Sequence, residues 1–325
     1  MKHGLLIALS LFATVAAFAA TSNTFDATYT ATVSAIPEGV KALEVWIPLP
    51  MTRGAQTVSD VSIESPYTFT RYRDPELGNE YAFARIENPP AGDLAVKVHF
   101  MATRREITED HPYEMAASRA ELKRALQPNR LVTLSPRVKK LAAEVTAGKT
   151  STVDQAHAIF EHLVTTMKYD KTIPGWGNGD TERACDIRAG NCTDFHSLFM
   201  SLARARGIPA RFIIGFPLTA ADGQVKGYHC WAEFYVKGKG WIPVDASDAS
   251  KLSDMSKREY LFGNLDPNRV QFTVGRDLTL TPRTSEPLNY FIYPRAEANG
   301  KPVGTPSVAV QFKQVSGGAV GTPGL

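Results

Sequence analysis

Cysteine is scarce in this chain, three residues in 325, and the way the three are placed excludes a disulfide framework. Cys185 and Cys192 lie close together, Cys230 directly follows a histidine, and an odd count leaves at least one thiol unpaired. No CxxC pair is present, which removes the usual zinc-ribbon patterns. Beyond residue 18 there is no apolar run long enough to span a membrane, so no span is expected in the mature chain. No basic stripe interleaves with aromatics, and the formal charge of +3 includes Lys2, so nucleic acid is not an expected partner. Internal repeats are lacking as well.

What is present begins with an export signal. Met1-Lys2-His3 is a short basic start, and residues 4–18 form an apolar run too short for a comfortable membrane span. Ala17-Phe18-Ala19 places small residues where a signal peptidase reads them, so residues 1–19 are expected to be removed, leaving a periplasmic or secreted protein. The remainder is longer than one small core requires, which favours two domains.

Residues 25–33 alternate strictly, with Phe25, Ala27, Tyr29, Ala31 and Val33 against Asp26, Thr28, Thr30 and Thr32, the pattern of a half-buried strand. Further strands are expected at 43–47, 67–73, 81–86 and 94–103, separated by Pro/Gly/Asn/Asp clusters; together they indicate a β-sandwich over residues 20–108. Helical periodicity then takes over. Ser135-Pro136 opens one helix, Ser151 caps a second, and a third runs from Cys192 to about Arg206, where Gly207 and Pro209 stop it. Strands follow at 211–216, 228–236 and 241–244, with more at 270–274, 290–293 and 308–315. The fold class is therefore α+β: a β-sandwich, then a domain of helices packed on an antiparallel sheet over 109–315, then a disordered tail at 316–325.

The chemistry is concentrated in Gly190-Asn191-Cys192-Thr193-Asp194, Tyr228-His229-Cys230-Trp231 and Trp241-Ile242-Pro243-Val244-Asp245. A cysteine at a helix N-terminus gains stabilisation of its thiolate from the helix dipole and from a nearby imidazolium. Cys192 is thus the candidate nucleophile, His229 the base and acid, and Asp245 the residue orienting the imidazole. The Cys192 backbone N–H is a natural oxyanion donor; for the second donor or substrate contact the candidates are Asn191, Trp176, Asn178 and Trp231. Parity tests the set. A three-residue loop, Lys237-Gly238-Lys239, sets Val236 against Gly240 and Asp245 opposite Trp231, diagonal to His229, whereas a two-residue loop flips Asp245 to the other face. Alternation also turns Cys230 away from His229 into the core, so Cys230→Ala should cost about 1 kcal/mol of stability and spare the chemistry.

Other readings compete with this one. Cys185, Cys192, His196, His229 and Cys230 are all zinc-ligand types, but without a CxxC pair no metal or cofactor is expected. His196 can serve a local structural bond, Trp176 can be packing, and the polar loop at 216–227 can be a lid or a mere connection. Asn191-Cys192-Thr193 matches a glycosylation acceptor only formally. His99, His111, His157 and His162 have no chemical context.

At these residues, and at Arg204-Ala205-Arg206-Gly207-Ile208-Pro209-Ala210-Arg211, the chain resembles the bacterial transglutaminase-like superfamily, a papain-related cysteine fold, over residues 153–250. The resemblance implies a Cys192-His229-Asp245 triad and acyl transfer from a peptide or protein amide to water or an amine. Peptidase or amidase action is expected ahead of cross-linking. The competing expectation is a catalytically silent binding or assembly module, and the partner of the β-domain is undefined.

Overall fold

In the computed structural model the described residues are 21–318, apart from Asp110, His111 and Tyr113. The expected signal peptide and residues 319–325 of the expected tail lie outside them. Along the chain come β1 (Ser22–Ile36), β2 (Ala42–Pro48), β3 (Gln56–Glu64), β4 (Thr70–Arg73), β5 (Glu80–Glu87) and β6 (Gly92–Arg105). A linker bearing α1 (Arg119–Arg124) leads to α2 (Pro136–Val145) and α3 (Thr152–Thr166). A short parallel pair, β7 (Lys168–Tyr169) and β8 (Ala189–Gly190), brackets a glycine-rich loop and α4 (Thr181–Ile187). Next are α5 (Cys192–Ala205), β9 (Ala210–Pro217), β10 (Asp222–Val225), β11 (His229–Val236), β12 (Gly240–Val244), α6 (Ala246–Ala249), α7 (Met255–Tyr260) and β13 (Arg269–Val274). The chain closes with β14 (Arg295–Ala298), β15 (Lys301–Pro302) and β16 (Thr305–Gly317).

The alternation in β1 has the expected effect: Phe25, Ala27, Tyr29, Ala31 and Val33 are buried and their neighbours are not. Two five-stranded sheets, in the orders β10-β16-β1-β6-β3 and β15-β14-β2-β5-β4, pack through such faces into a sandwich. Its composition corrects the expected boundary. The strands β14, β15 and β16 return from the C-terminal end, so the sandwich is not confined to residues 20–108. Ser316 and Gly317, assigned to a disordered tail, pair with β1. The physical reason is that β1 is long and central and needs a partner on each side: β6 covers one edge and β16 the other.

The loop between β9 and β11 is tied down by the same sheet. Residues Asp222–Val225 pair with Val310–Lys313, so this segment is a strand and not a lid. Residues 290–293, expected as a strand, make no ladder; Tyr29 Oη donates to the Ile292 carbonyl at 2.9 Å and Thr273 Oγ1 to that of Phe291 at 2.6 Å. The edge strand β3 escapes the sequence pattern because few of its side chains are buried and Asp60 breaks its register at positive φ (53°).

The second unit is a four-stranded antiparallel sheet, β12-β11-β9-β13, with α5 against it. Phe199 of α5 meets Phe234 of β11 at 6.2 Å between ring centroids, on the face that also carries Cys230 and Ala232. The opposite face holds Trp231 and Glu233, which meet the linker. There Arg211, 4% exposed, donates to Glu233 at 2.7 Å, to Glu114 at 2.8 Å and to Glu121, and lies 3.9 Å over the Trp241 ring. Arg53 of the sandwich bonds the same Glu114 and Glu121. Two guanidiniums that share Glu114 and Glu121 thus join the sheet, the linker and the sandwich. Arg211→Ala strands a fully buried Glu233 carboxylate, and the expected loss is about 3–5 kcal/mol, read as a fall in the denaturant midpoint; a variant within 1 kcal/mol of the parent counts against this network as a joint.

Candidate active site

The site is assembled at one end of the sheet. Cys192 is the first residue of α5, His229 the first of β11, and Asp245 stands one residue beyond β12. The hairpin register pairs Val236 with Gly240 and Ala232 with Val244, which is the arrangement of the three-residue loop and brings Asp245 to the histidine. His229 Nε2 lies 2.7 Å from Asp245 Oδ2. With that nitrogen committed, Nδ1 is the ring nitrogen left free to act on a second group.

Asp245 is fully buried and does more than hold one ring. Its Oδ2 also accepts from Arg269 Nη1 at 3.0 Å, and its Oδ1 from Ser247 Oγ and the Asp248 N–H, each at 3.1 Å. It is the N-cap of α6. Burial by itself would favour the protonated acid, but the charge and hydrogen bond of His229, with Arg269 and His196, hold its pKa well below the usual carboxylate range. Burial likewise opposes charge on His229; the carboxylates of Asp248 and Asp245 and the bonds to Asp245 and Cys192 outweigh it and raise its pKa. At Cys192 burial again works against ionisation. Hydrogen bonds from Cys230 and His229 and the charges of His229 and His196 more than offset it, so the thiol lies well below its ordinary value. Both shifts act in the direction that favours a thiolate–imidazolium pair beside the buried carboxylate.

The N-terminus of α5 is built to leave one donor free. Asn191 Oδ1 caps the Thr193 N–H at 2.9 Å, and Asp194 reaches back to the Asn191 N–H at 2.9 Å, a reciprocal capping box. The Cys192 N–H has no acceptor among the described residues and points from the helix start, where an oxyanion would be stabilised. Asp194 also accepts from Gly177 at 2.7 Å and Gly179 at 3.1 Å, which fastens the glycine-rich loop to the helix. Gly190 is required here, since a Cβ at that position would overlap the Asp194 side chain.

A profile of the transglutaminase-like superfamily matches residues 139–246, a span that includes all three residues. An uncharacterized protein of Haemophilus influenzae is 30% identical over 310 residues, covering 82% of this chain and 84% of that protein. The chain belongs to the transglutaminase-like superfamily. A protein of Cytophaga hutchinsonii described as a candidate cysteine protease has the same fold, with a TM-score of 0.65 at 15% identity, covering 92% of this chain and 93% of that one.

In this transglutaminase-like chain the remaining sequence candidates have other duties. Asn191 uses both ends of its amide, donating from Nδ2 to Tyr228 Oη at 3.0 Å; buried and engaged in this way, it is no glycosylation acceptor in the folded protein. Trp231 is fully buried on the sheet face away from α5, beneath the guanidiniums of Arg104 and Arg269. Trp176 is exposed and stacks with Lys171, and Asn178 is held through its carbonyl by Arg276 and Asn289. None of the four points a donor at the sulfur. Cys192, Cys185 and Cys230 are all free thiols. Among the described residues, His229, Asp245 and Asp248 are spaced closely enough for a metal, as are His157, Glu161 and Glu259, but the five residues weighed as a zinc set do not form such a group.

Alternation buries Cys230 in the core as expected, on the face opposite Trp231; α5 covers that face, and the Cys230 sulfur meets Thr193 Oγ1 at 3.8 Å. Asp248, Arg269, Asp194 and Tyr228 were missed; only Asp194 had a local signal, the Asn-x-x-Asp spacing of a capping box.

The thiol is nearly covered: Cys192 is 1% and His229 7% exposed. A cavity of about 400 Å³ between Ile107, Trp241 and Phe262 is lined by none of the three residues. Asp194→Ala removes the acceptor of three buried N–H groups, each costing about 1–3 kcal/mol when unpaired. The expected result is a lower melting temperature together with faster proteolytic cutting at residues 175–180; unchanged cutting would show that Asp194 does not fasten that loop.

Proposed function

We propose that the protein is a cysteine-dependent amide hydrolase that works outside the cytoplasm. The observation that carries this reading is the convergence of Cys192, His229 and Asp245 at the free N–H of a helix start. In the proposed reaction the Cys192 thiolate attacks a peptide amide carbonyl, and the oxyanion is held by the Cys192 N–H. The His229 imidazolium protonates the leaving amine, giving a thioester. His229 then takes a proton from water, which hydrolyses the thioester and regenerates the ion pair. Asp245 keeps the ring in its productive tautomer and stabilises its charge.

Water is favoured as the acceptor by the covered sulfur. A nucleophile that is 1% exposed admits a small molecule more readily than a second protein side chain. The export signal at residues 1–19 is the support for an extracytoplasmic location. A silent binding module has no chemical need for a free thiol, an imidazolium and a buried carboxylate in line.

The test is trapping with a thiol-reactive amide-mimic probe, paired with turnover of a model peptide amide. Cys192→Ala and His229→Ala should abolish turnover with the fold intact, while Asp245→Asn keeps a residue of activity, since Arg269 and Ser247 still hold the position. Activity should rise with pH as Cys192 ionises below its ordinary value, and fall where His229 loses its proton above the usual imidazole value, giving a bell-shaped profile. No labelling of Cys192 by the probe would leave the module reading; transfer of the acyl group to an added primary amine in preference to water would overturn the acceptor.

A further inference from the structure

His229 has a second carboxylate beside it. Its Nε2, 2.7 Å from Asp245 Oδ2, also lies 3.4 Å from Asp248 Oδ2, an ion-pair distance. Asp245 is fully buried, whereas Asp248 keeps part of its carboxylate in solvent. The place of Asp248 in α6 leaves that carboxylate free for the ring. It is the third residue of the helix that Asp245 caps, the position from which an acid usually reaches back to the N–H of the cap residue. Here the Asp245 N–H donates instead to the Leu261 carbonyl at 3.0 Å, so the acid is spared that duty. The Asp248 backbone does serve the cap, through its own N–H to Asp245 Oδ1 at 3.1 Å. Its side chain is turned to Lys251, which donates to Oδ1 at 2.6 Å while Oδ2 faces the ring. The Lys251 ammonium is fixed in turn 4.0 Å over the Tyr169 ring, and Tyr169 is the register partner of Gly190, two residues before Cys192.

We propose that Asp248 is a positioning residue for His229: a second carboxylate that helps hold the protonated ring in place, with Lys251 setting where that carboxylate stands. The proposal rests on the reading of Cys192 and His229 as an ion pair. The two acids differ in what else they face. Asp245 shares its charge with Arg269 at 3.0 Å, and His196 Nε2 lies 3.6 Å from its other oxygen. Asp248 shares its charge with Lys251, which the Tyr169 ring holds back from the histidine. A neutral ring needs only the directed hydrogen bond to Asp245. Once the ring is protonated its charge is met by both anions, and attraction at 3.4 Å acts without the alignment a hydrogen bond demands. Loss of either acid therefore leaves an anion beside the ring. Loss of both removes the two carboxylates that stand within ion-pair distance of it.

The experiment is alkylation of Cys192 by iodoacetamide in the full chain, with the Cys192 peptide counted by mass because Cys185 and Cys230 are free thiols as well. Rates are read about two units below and about one unit above the ordinary thiol value of about 8.5. Their ratio reports the ion pair separately from access to the sulfur, so a variant that merely loosens the fold moves both rates and not the ratio. Asp248→Asn should lower the ratio about threefold and Asp245→Asn about tenfold, and the double variant should fall further than the product of the two. Lys251→Met frees Asp248 for the ring and should raise the ratio; Asp248→Asn added to it should remove the gain. An Asp248→Asn ratio equal to the parent's, or a double variant that equals the product, would overturn the proposal. Should Asp245→Asn not fold, the Lys251→Met pair decides, and the absence of any gain counts against Asp248. A parent ratio no higher than that of an ordinary thiol would overturn the ion-pair reading itself, and the proposal with it.

Discussion

A single buried carboxylate organises the candidate site of this molecule. Asp245 is fully desolvated, a condition that costs several kcal/mol unless every lone pair is used. Here His229, Arg269, Ser247 and the Asp248 N–H use them. Because these partners come from β11, β13 and α6, the position of one anion holds three elements together. Removing any partner leaves the charge less compensated, so electrostatics and fold are one constraint at this site. The carboxylates of Asp248 and Asp245 raise the pKa of His229 against its burial, and His229 in turn helps to lower that of Cys192.

The same economy recurs at the other buried charges. Asp194 is spent on three backbone N–H groups and so converts a flexible glycine loop into part of the helix start. Arg211 serves three carboxylates at the junction of sheet, linker and sandwich. Arg204 donates to the carbonyls of Ala210 and Gln127 and so fixes the turn from α5 into β9. The quoted family segment from Arg204 to Arg211 is thus mainly structural: two of its three arginines, Arg204 and Arg211, tie the helix end and the sheet. The sandwich is part of the same body, because β10 leaves the catalytic sheet to pair with β16 and one apolar cluster runs through both units.

The near closure of the sulfur shapes the chemistry. Tyr228 bonds Asn191 and Thr193, and Tyr290 and Tyr293 pack against it at 5.6 and 5.9 Å, so three tyrosines cluster at the start of α5. A dry surrounding strengthens the ion pair and the single oxyanion donor. It also means that an amide must part these side chains to reach the thiolate.

Local pattern was enough for much of this. The alternation of β1, the caps at Ser135 and Ser151, the stop at Gly207, and the odd loop that turns Asp245 toward His229 are all written in near neighbours, and with the motif order they singled out Cys192, His229 and Asp245 by number. What near neighbours do not encode is which distant strand fills an open edge or which element covers a face. The return of β16 to β1 depends on residues nearly three hundred positions apart. Arg269 carries no local sign that it will neutralise Asp245. The surroundings of Cys230 were hidden for the same reason: period two says which way a side chain points, but only the packing of α5 decided that the space on that side holds Thr193 and the start of that helix.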